Sequence, residues 1–266
     1  MTNLTLNDGR SMPQLGMGTW QIKDAQAASI VRAGLDLGFA LVDTAAVYDN
    51  EMGVGAGVKG TDAWLTTKLW NNRQHDAAAA LDESLALLGV DAVDLYLMHW
   101  PVPAQDQYVD AWRAMIGLRD AGKALSIGVS NFLPEHLDRI VAETGVTPAV
   151  NQIELHPDFQ QREARAYHDA HGIVTQSWSP IGQGKDLLGR EAIVRIAGKH
   201  GRSAAQVVLA WHLAHGLSAV PKAADREHLS DNFAALDLTL DDEHMAAIDA
   251  LDSPGGRLGP DPATFG

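Results

Sequence analysis

Eight short runs rich in β-branched or apolar residues recur along the chain at regular intervals: "LGMGTW", "ALVDTA", "AWLTTKLW", "DLYLMHW", "ALSIGVSN", "AVNQIEL", "VTQSWSP" and "SAVPKA". Between them lie longer stretches with apolar residues at helical spacing, such as "DAQAASIVRAGLDLG", "DAAAALDESLALLG", "YVDAWRAMIGLRDAG", "PEHLDRIVAETG" and "SAAQVVLAWHLAHG". Most end in the glycine that favours the turn just past a helix. A strand that must wait for a helix before its next neighbour pairs parallel, and eight such units predict a closed (β/α)8 TIM barrel of the α/β class. An open doubly wound sheet uses the same alternation and is the competing architecture. No proline-rich, serine-rich or low-complexity linker divides the 266 residues, so residues 1–266 are read as a single barrel domain. The opening "LTLNDGRSMPQ", with Asp8-Gly9 at its turn, predicts a short N-terminal hairpin. A short, glycine-rich helix is expected over "MGVGAGVKG". The tail "PGGRLGPDPATFG" is expected to form a C-terminal loop over the active site.

Composition narrows the function. With 34 acidic and 20 basic residues the formal charge is −14, a field that repels nucleic-acid phosphates and anionic lipid heads. No apolar run approaches the roughly 20 residues of a membrane span, and the first residues lack the basic-then-apolar pattern of a secretion signal. A cytoplasmic location and a small-molecule partner are expected, with no nucleic-acid or membrane partner. The absence of cysteine excludes disulfides, thiolate zinc sites and cysteine nucleophiles together.

In a barrel of this kind the chemistry sits at the C-terminal ends of the strands, and here those ends are polar in a regular way. The second run ends in Asp43 with Tyr48 in the next loop, the third in Lys68 and the fourth in His99. The fifth ends in Ser130 and Asn131, the sixth carries Gln152 and Glu154, the seventh ends in Trp178 and the eighth in Lys222. Each residue alone has an ordinary structural explanation. Together, Asp43, Tyr48, Lys68 and His99 answer one chemical problem. A hydride delivered to a carbonyl carbon leaves an alkoxide that must be stabilised and protonated as it forms. A phenol with an ordinary pKa of roughly 10 is a reluctant donor. A lysine cation beside it favours the phenolate, and an aspartate paired with that lysine holds it in place. His99 then orients the carbonyl oxygen toward Tyr48.

These residues, with "NDGRSMPQLGMGTW", "DTAAVYDNE", "TTKLWN", "VDLYLMHWP", "IGVSNF", "AVNQIELHP", "SWSPIGQG" and "VPKAADREHLSDNF", resemble the aldo-keto reductase family over nearly the whole chain. Within it the sequence looks most like the bacterial 2,5-diketo-gluconate reductases. The resemblance implies a (β/α)8 barrel, reduction of aldehydes and ketones with NADPH or NADH and without a metal, and a monomer. It makes Asp43, Tyr48, Lys68 and His99 the catalytic tetrad. It assigns Ser130, Asn131 and Gln152 to the nicotinamide carboxamide, Trp178 to stacking on the nicotinamide, and Gly182, Gln183 and Gly184 to the pyrophosphate. Lys222, Arg226 and Asn232 fall near the adenosine end. Trp20, Tyr48, Trp70 and Trp100 match the substrate pocket. One histidine, several aromatics and no evident arginine cluster suit small neutral aldehydes, diketones and sugar-derived ketones, with free carboxylates accepted without being required.

One segment departs from the family pattern. Where its members have the form K-S-x4-R-[IL]-x-x-N around the adenosine 2′-phosphate, this chain reads "KAADREHLSDN". Ala223 replaces the serine and His228 the arginine, so the phosphate loses a hydroxyl donor and a permanently charged fork. Asp225 adds a carboxylate that either repels the phosphate or accepts from ribose hydroxyls. Retained use of NADP(H) with NAD(H) also usable is the expectation.

Other patterns compete. "GVGAG" (53–57) lacks the last glycine of a dinucleotide-binding loop and follows the wrong strand. The pairs His168/His171 and His212/His215 have spacing that could place two imidazoles on one helix face, but with no third ligand evident they are read as solvated faces. Two further function classes stay open beside the reductase: a Schiff-base lyase using Lys68 as nucleophile, against which Asp43 argues by keeping the lysine protonated, and a nucleotide-binding regulatory barrel with little turnover.

Overall fold

The structure is a computed structural model that describes residues 2–266. A two-stranded antiparallel hairpin, β1 (Asn3–Thr5) and β2 (Ser11–Pro13), precedes the barrel. The barrel strands are β3 (Met17–Gly18), β4 (Leu41–Asp43), β5 (Trp64–Leu69), β6 (Val93–Met98), β7 (Ala124–Ser130), β8 (Val150–Glu154), β9 (Val174–Trp178) and β10 (Ser218–Ala219). They pair in chain order, all parallel. Parallel bridges from Leu15 to Ala219 and from Gly18 to Lys222 join the first strand to the last and close the ring. The open-sheet alternative is thereby excluded.

The helices that return the chain are α1 (Asp24–Leu37), α2 (Glu51–Val58), α3 (Ala77–Leu88), α4 (Tyr108–Asp120), α5 (Pro134–Thr144), α6 (Arg162–His171), α7 (Glu191–His200), α8 (Ala204–Ala214), α9 (Arg226–Phe233) and α10 (Asp242–Asp249). Two of them, α7 and α8, lie between β9 and β10. Glycines explain the brevity of α2. A Cβ on Gly53 would overlap the carbonyl of Asp24 in α1, and one on Gly55 the carbonyl of Leu88 at the end of α3. The "GVGAG" stretch therefore lets three helices approach backbone to backbone, and it is no phosphate loop.

Strand alternation sorts the barrel interior into layers. Leu41, Leu95, Leu97 and Val150 fill the interior on the hairpin side, where they share one buried cluster with Leu6 and Met12 of the hairpin region. Each fully buried aliphatic side chain of that kind contributes roughly 1.5–3 kcal/mol. Two residues further along the same faces stand Asp43 after Leu41, Gln152 after Val150 and Gln176 after Val174, all buried. The hairpin plugs the apolar end, and the polar layer opens to the other. Among the described residues no helix is long and apolar enough to cross a membrane.

Two sequence expectations are corrected here. His168 and His212 do not face solvent: both are fully buried. His168 bridges Asn151 (2.9 Å) and Thr175 (2.8 Å), while His212 bridges Ser177 (3.1 Å) and the carbonyl of Pro180 (3.0 Å). They lock α6 and α8 onto the barrel wall, and burial holds their pKa values down at about 4 and about 3. A charged-looking residue on a helix reads as solvated in sequence because its strand-side partners are remote in the chain.

Candidate active site

Asp43 closes β4, Lys68 is the penultimate residue of β5 and His99 follows β6 directly. The parallel register sets Asp43 beside Thr66 and Lys68 beside Leu97, so all three reach the same end of the barrel. Tyr48 stands in a single 3-10 turn, Ala46–Tyr48. Asn50 fixes that turn, accepting from Thr44 Oγ1 at 2.7 Å and donating to the carbonyls of Thr19 and Ile22, each at 2.9 Å.

Lys68 is wholly buried, and its Nζ donates to Asp43 Oδ1 at 2.6 Å and to the Thr44 carbonyl at 2.8 Å. The centroid of the Tyr48 ring lies 5.1 Å from Nζ. Burial pulls the lysine pKa down, but the charges of Asp43 and of an ionising Tyr48 outweigh it, and the net shift is upward. Lys68 is an ammonium ion. For Tyr48 the balance differs from the sequence expectation of a lowered value. Burial pushes the phenol up, the Lys68 cation opposes this, and the net direction is up. Desolvation thus outweighs the cation, and the phenol holds its proton. Burial, then the Lys68 cation, hold the His99 imidazole well below its ordinary pKa, so it is neutral. Its Nδ1 has no partner among the described residues, and its ring stands edge-on to Tyr48 (5.9 Å between centroids) and Trp70 (5.0 Å).

One cleft of about 1070 Å³ opens over these groups. Asp43, Tyr48 and His99 reach it, while Lys68 lies behind them. Trp20, Trp70 and Trp100 line it with Val47, Leu258 and Phe265, and Phe265 packs on Trp100 at 4.5 Å between centroids. Along its other arm lie Asn131, Gln152, Trp178, Gln183, Gly184, Lys222, His228 and Asn232. Ser130, Gly182 and Arg226 do not line it. Ser130 turns its hydroxyl to the Gln152 carbonyl (2.7 Å), and Gly182 is buried against Leu187. Asn131 takes the left-handed conformation at φ 62°, which asparagine tolerates. It donates to the His99 carbonyl and to Ser130 Oγ, both at 3.0 Å, and accepts from Trp178 Nε1 at 2.8 Å. The amide is committed to holding the indole and the His99 backbone.

At the far arm, Asp225 caps α9 through the His228 amide (2.9 Å) and pairs with His228 Nδ1 at 2.6 Å. That pairing raises the histidine pKa. His228 is therefore not the ordinary, mostly neutral imidazole that its isolated chemistry suggests, and Asp225 is engaged with it.

The sequence marks Glu154 as a strand-end residue without showing its role, and it leaves Gln176 unmarked. Glu154 accepts from the Leu258 amide (2.6 Å), the Gly259 amide (2.8 Å) and His156 Nε2 (3.1 Å), and so fastens the C-terminal tail over the cleft. Gly259 lies against Trp178, where a Cβ would stand 2.5 Å from the indole edge. Gln176 lies in the polar layer beside Gln152. Gln176 sits two positions from Trp178 on the same strand face, and period-two counting would have found it.

Fold and site together define an oxidoreductase of carbonyl groups, and the sequence model of the Aldo/keto reductase family matches residues 14–253. The chain belongs to that family. Among individual proteins it is similar to methylglyoxal reductase DkgA of Salmonella typhimurium, 46% identical over 271 residues that cover 100% of this chain and 98% of the relative. An aldo-keto reductase of Mycolicibacterium smegmatis is 48% identical over 269 residues, 98% of this chain and 97% of that one. Of solved structures, a Gox0644 mutant in complex with NADPH superposes with a TM-score of 0.97 at 47% identity, covering 100% of this chain and 98% of that one.

Proposed function

We propose that this chain reduces small neutral aldehydes and ketones, 2-oxoaldehydes such as methylglyoxal among them, to alcohols with NADPH, with Tyr48 as proton donor. The observation that carries the reading is Tyr48 at the floor of an aromatic cleft, its ring beside His99 on one side and the buried Lys68–Asp43 pair on the other. Bound NADPH supplies the hydride. The cleft suits such a cofactor: its long arm runs past Trp178 to Lys222 and His228, and the Gln152 amide oxygen has no hydrogen bond to a described residue. In that arm Gln152 and Trp178 hold the reactive ring, Asn131 acting through the indole it fixes, while Gln183 and Gly184 hold the phosphates, and Lys222, His228 and Asn232 the adenosine end.

As negative charge builds on the carbonyl oxygen, Tyr48 releases its proton to it, and the resulting phenolate is stabilised by Lys68 at an energetic cost met by no rearrangement, because Asp43 already fixes the ammonium. His99, neutral and unpartnered at Nδ1, offers its other ring nitrogen to orient the oxygen. No arginine lines the cleft among the described residues, which favours neutral substrates. Ala223 and the engaged His228 weaken the hold on a 2′-phosphate, so NADH is usable beside NADPH. The reading takes residues 1–266 as one barrel domain, a cytoplasmic monomer with no nucleic-acid or membrane partner; the charge of −14 speaks against those two partners. A Schiff-base lyase is disfavoured because Lys68 is an ammonium ion that does not reach the cleft.

A panel of carbonyls assayed with NADPH and with NADH tests the reading. Tyr48→Phe should lower kcat by roughly 10²–10⁴, the contribution of a positioned general acid, with NADPH affinity little changed. Near-full kcat in that variant would remove Tyr48 from the role.

A further inference from the structure

A chain of buried amides crosses the polar layer beneath the cleft. Gln152 Nε2 lies 2.8 Å from Asp43 Oδ2 and 2.6 Å from Gln176 Oε1, and Gln176 Nε2 lies 2.9 Å from Ser218 Oγ. The orientation of each amide is set by chemistry. Asp43, paired with Lys68, is a carboxylate and can only accept. The Gln152 atom facing it must therefore be the nitrogen. Both hydrogens of that nitrogen are then taken, one by Asp43 and one by Gln176, which must present its oxygen and so turns its own nitrogen to Ser218. Direction runs from Gln152 to Gln176 to Ser218, fixed at its head by the charge on Asp43. Gln176, Ser218 and Gln152 are buried, the first two completely.

The consequence appears at the cleft. With its nitrogen held from two sides, Gln152 has one polar atom left, the amide oxygen, and Gln152 lines the cleft. We propose that Gln176 is a positioning residue which, anchored by Ser218, holds the Gln152 amide oxygen toward the cleft as a fixed acceptor for the N–H of a primary carboxamide. A freely turning amide would accept or donate indifferently. This one reads a donor. The inference rests on the proposed use of a nicotinamide cofactor, whose carboxamide carries such an N–H.

Without Gln176 as partner, one Gln152 hydrogen is left unpaired in a buried layer; Asp43 still holds the nitrogen side, so the amide tilts or takes up water to satisfy that hydrogen, and its oxygen leaves its line to the cleft. A cofactor analogue with an acetyl group in place of the carboxamide keeps the carbonyl and lacks the N–H. Affinities of NADPH and of the reduced acetylpyridine analogue, measured by fluorescence titration, should differ by about tenfold in the parent, the worth of one hydrogen bond to a preset acceptor. In Gln176→Leu the difference should shrink to near unity, while Gln176→Glu, which keeps the acceptor, should retain it. Turnover at saturating cofactor should change less than the affinity does. If Gln176→Leu still discriminates like the parent, or the parent does not discriminate, Gln176 has no such role. Should the leucine variant fail to fold, the ligand-free parent decides by 15N NMR: both side-chain amide protons of Gln152 should be protected from solvent exchange, and free exchange would overturn the proposal. Failure of the reductase reading itself is seen separately, as a parent that fails to oxidise NADPH with any carbonyl of the panel.

Discussion

Removing the buried cation is the sharpest perturbation of this site. In Lys68→Met the side chain is one atom shorter and loses the charge that sits 2.6 Å from Asp43 Oδ1 and 5.1 Å from the Tyr48 ring centroid. A unit charge pair at that second distance, in an effective dielectric of about 20, is worth about 3 kcal/mol. Most of that is felt only once the phenolate develops, so kcat should fall by roughly two orders of magnitude. A second effect acts on folding. Asp43 would remain buried without its partner, and breaking such a pair costs about 3–5 kcal/mol. The two effects separate in Asp43→Asn/Lys68→Met. A neutral asparagine still accepts from Gln152, so stability should largely return while turnover stays low. NADPH oxidation at saturating substrate, with urea melts in parallel, measures both. If Lys68→Met retained the parent's kcat, or if the double variant regained activity together with stability, the role given to Lys68 would fail.

Three further outcomes are expected. His228→Arg should raise the ratio of kcat/KM for NADPH over NADH by about tenfold, a charge-assisted hydrogen bond being worth roughly 1.5 kcal/mol or more; a strong NADPH preference in the parent that the substitution leaves unchanged would contradict the weakened phosphate site. Because burial raises the Tyr48 pKa, the proton donor is loaded at neutral pH and lost only as pH rises through that raised value. Carbonyl reduction should therefore stay level through neutral pH while alcohol oxidation, which needs the phenolate, climbs into the alkaline range, and initial rates in both directions would expose any common profile. His168 and His212 have folded-state pKa values of about 4 and about 3, below the usual histidine value. The unfolded chain binds the extra protons first, so their contribution is intact at neutral pH and is lost as pH falls below about 6.5. Urea midpoints across that range should decline less steeply in His212→Gln, and an unchanged slope would show that His212 is not a source of the acid sensitivity.

Much of this protein is dictated locally. Apolar runs such as "ALVDTA" and "DLYLMHW" must be strands, the helices between them force parallel pairing, and the residue ending each run must face the mouth of the barrel. That logic places Asp43, Lys68, His99 and Trp178 at the mouth from the sequence alone, because strand direction and period two are properties of the chain itself. Tertiary structure decided what depends on neighbours remote in sequence. Whether the phenol of Tyr48 lies above or below its ordinary pKa is a contest between desolvation and the Lys68 cation, and burial is not written in "AVYDN". His168 and His212 look solvated until β8 and β9 pack against them. Gln152 and Gln176 are separated by 24 residues, and only the parallel pairing of β8 with β9, which sets the two side by side, lets the charge of Asp43 fix which way each amide points. Local periodicity determines which face a side chain occupies; its protonation and hydrogen-bond direction are set by the fields and partners that the closed barrel brings within a few ångströms.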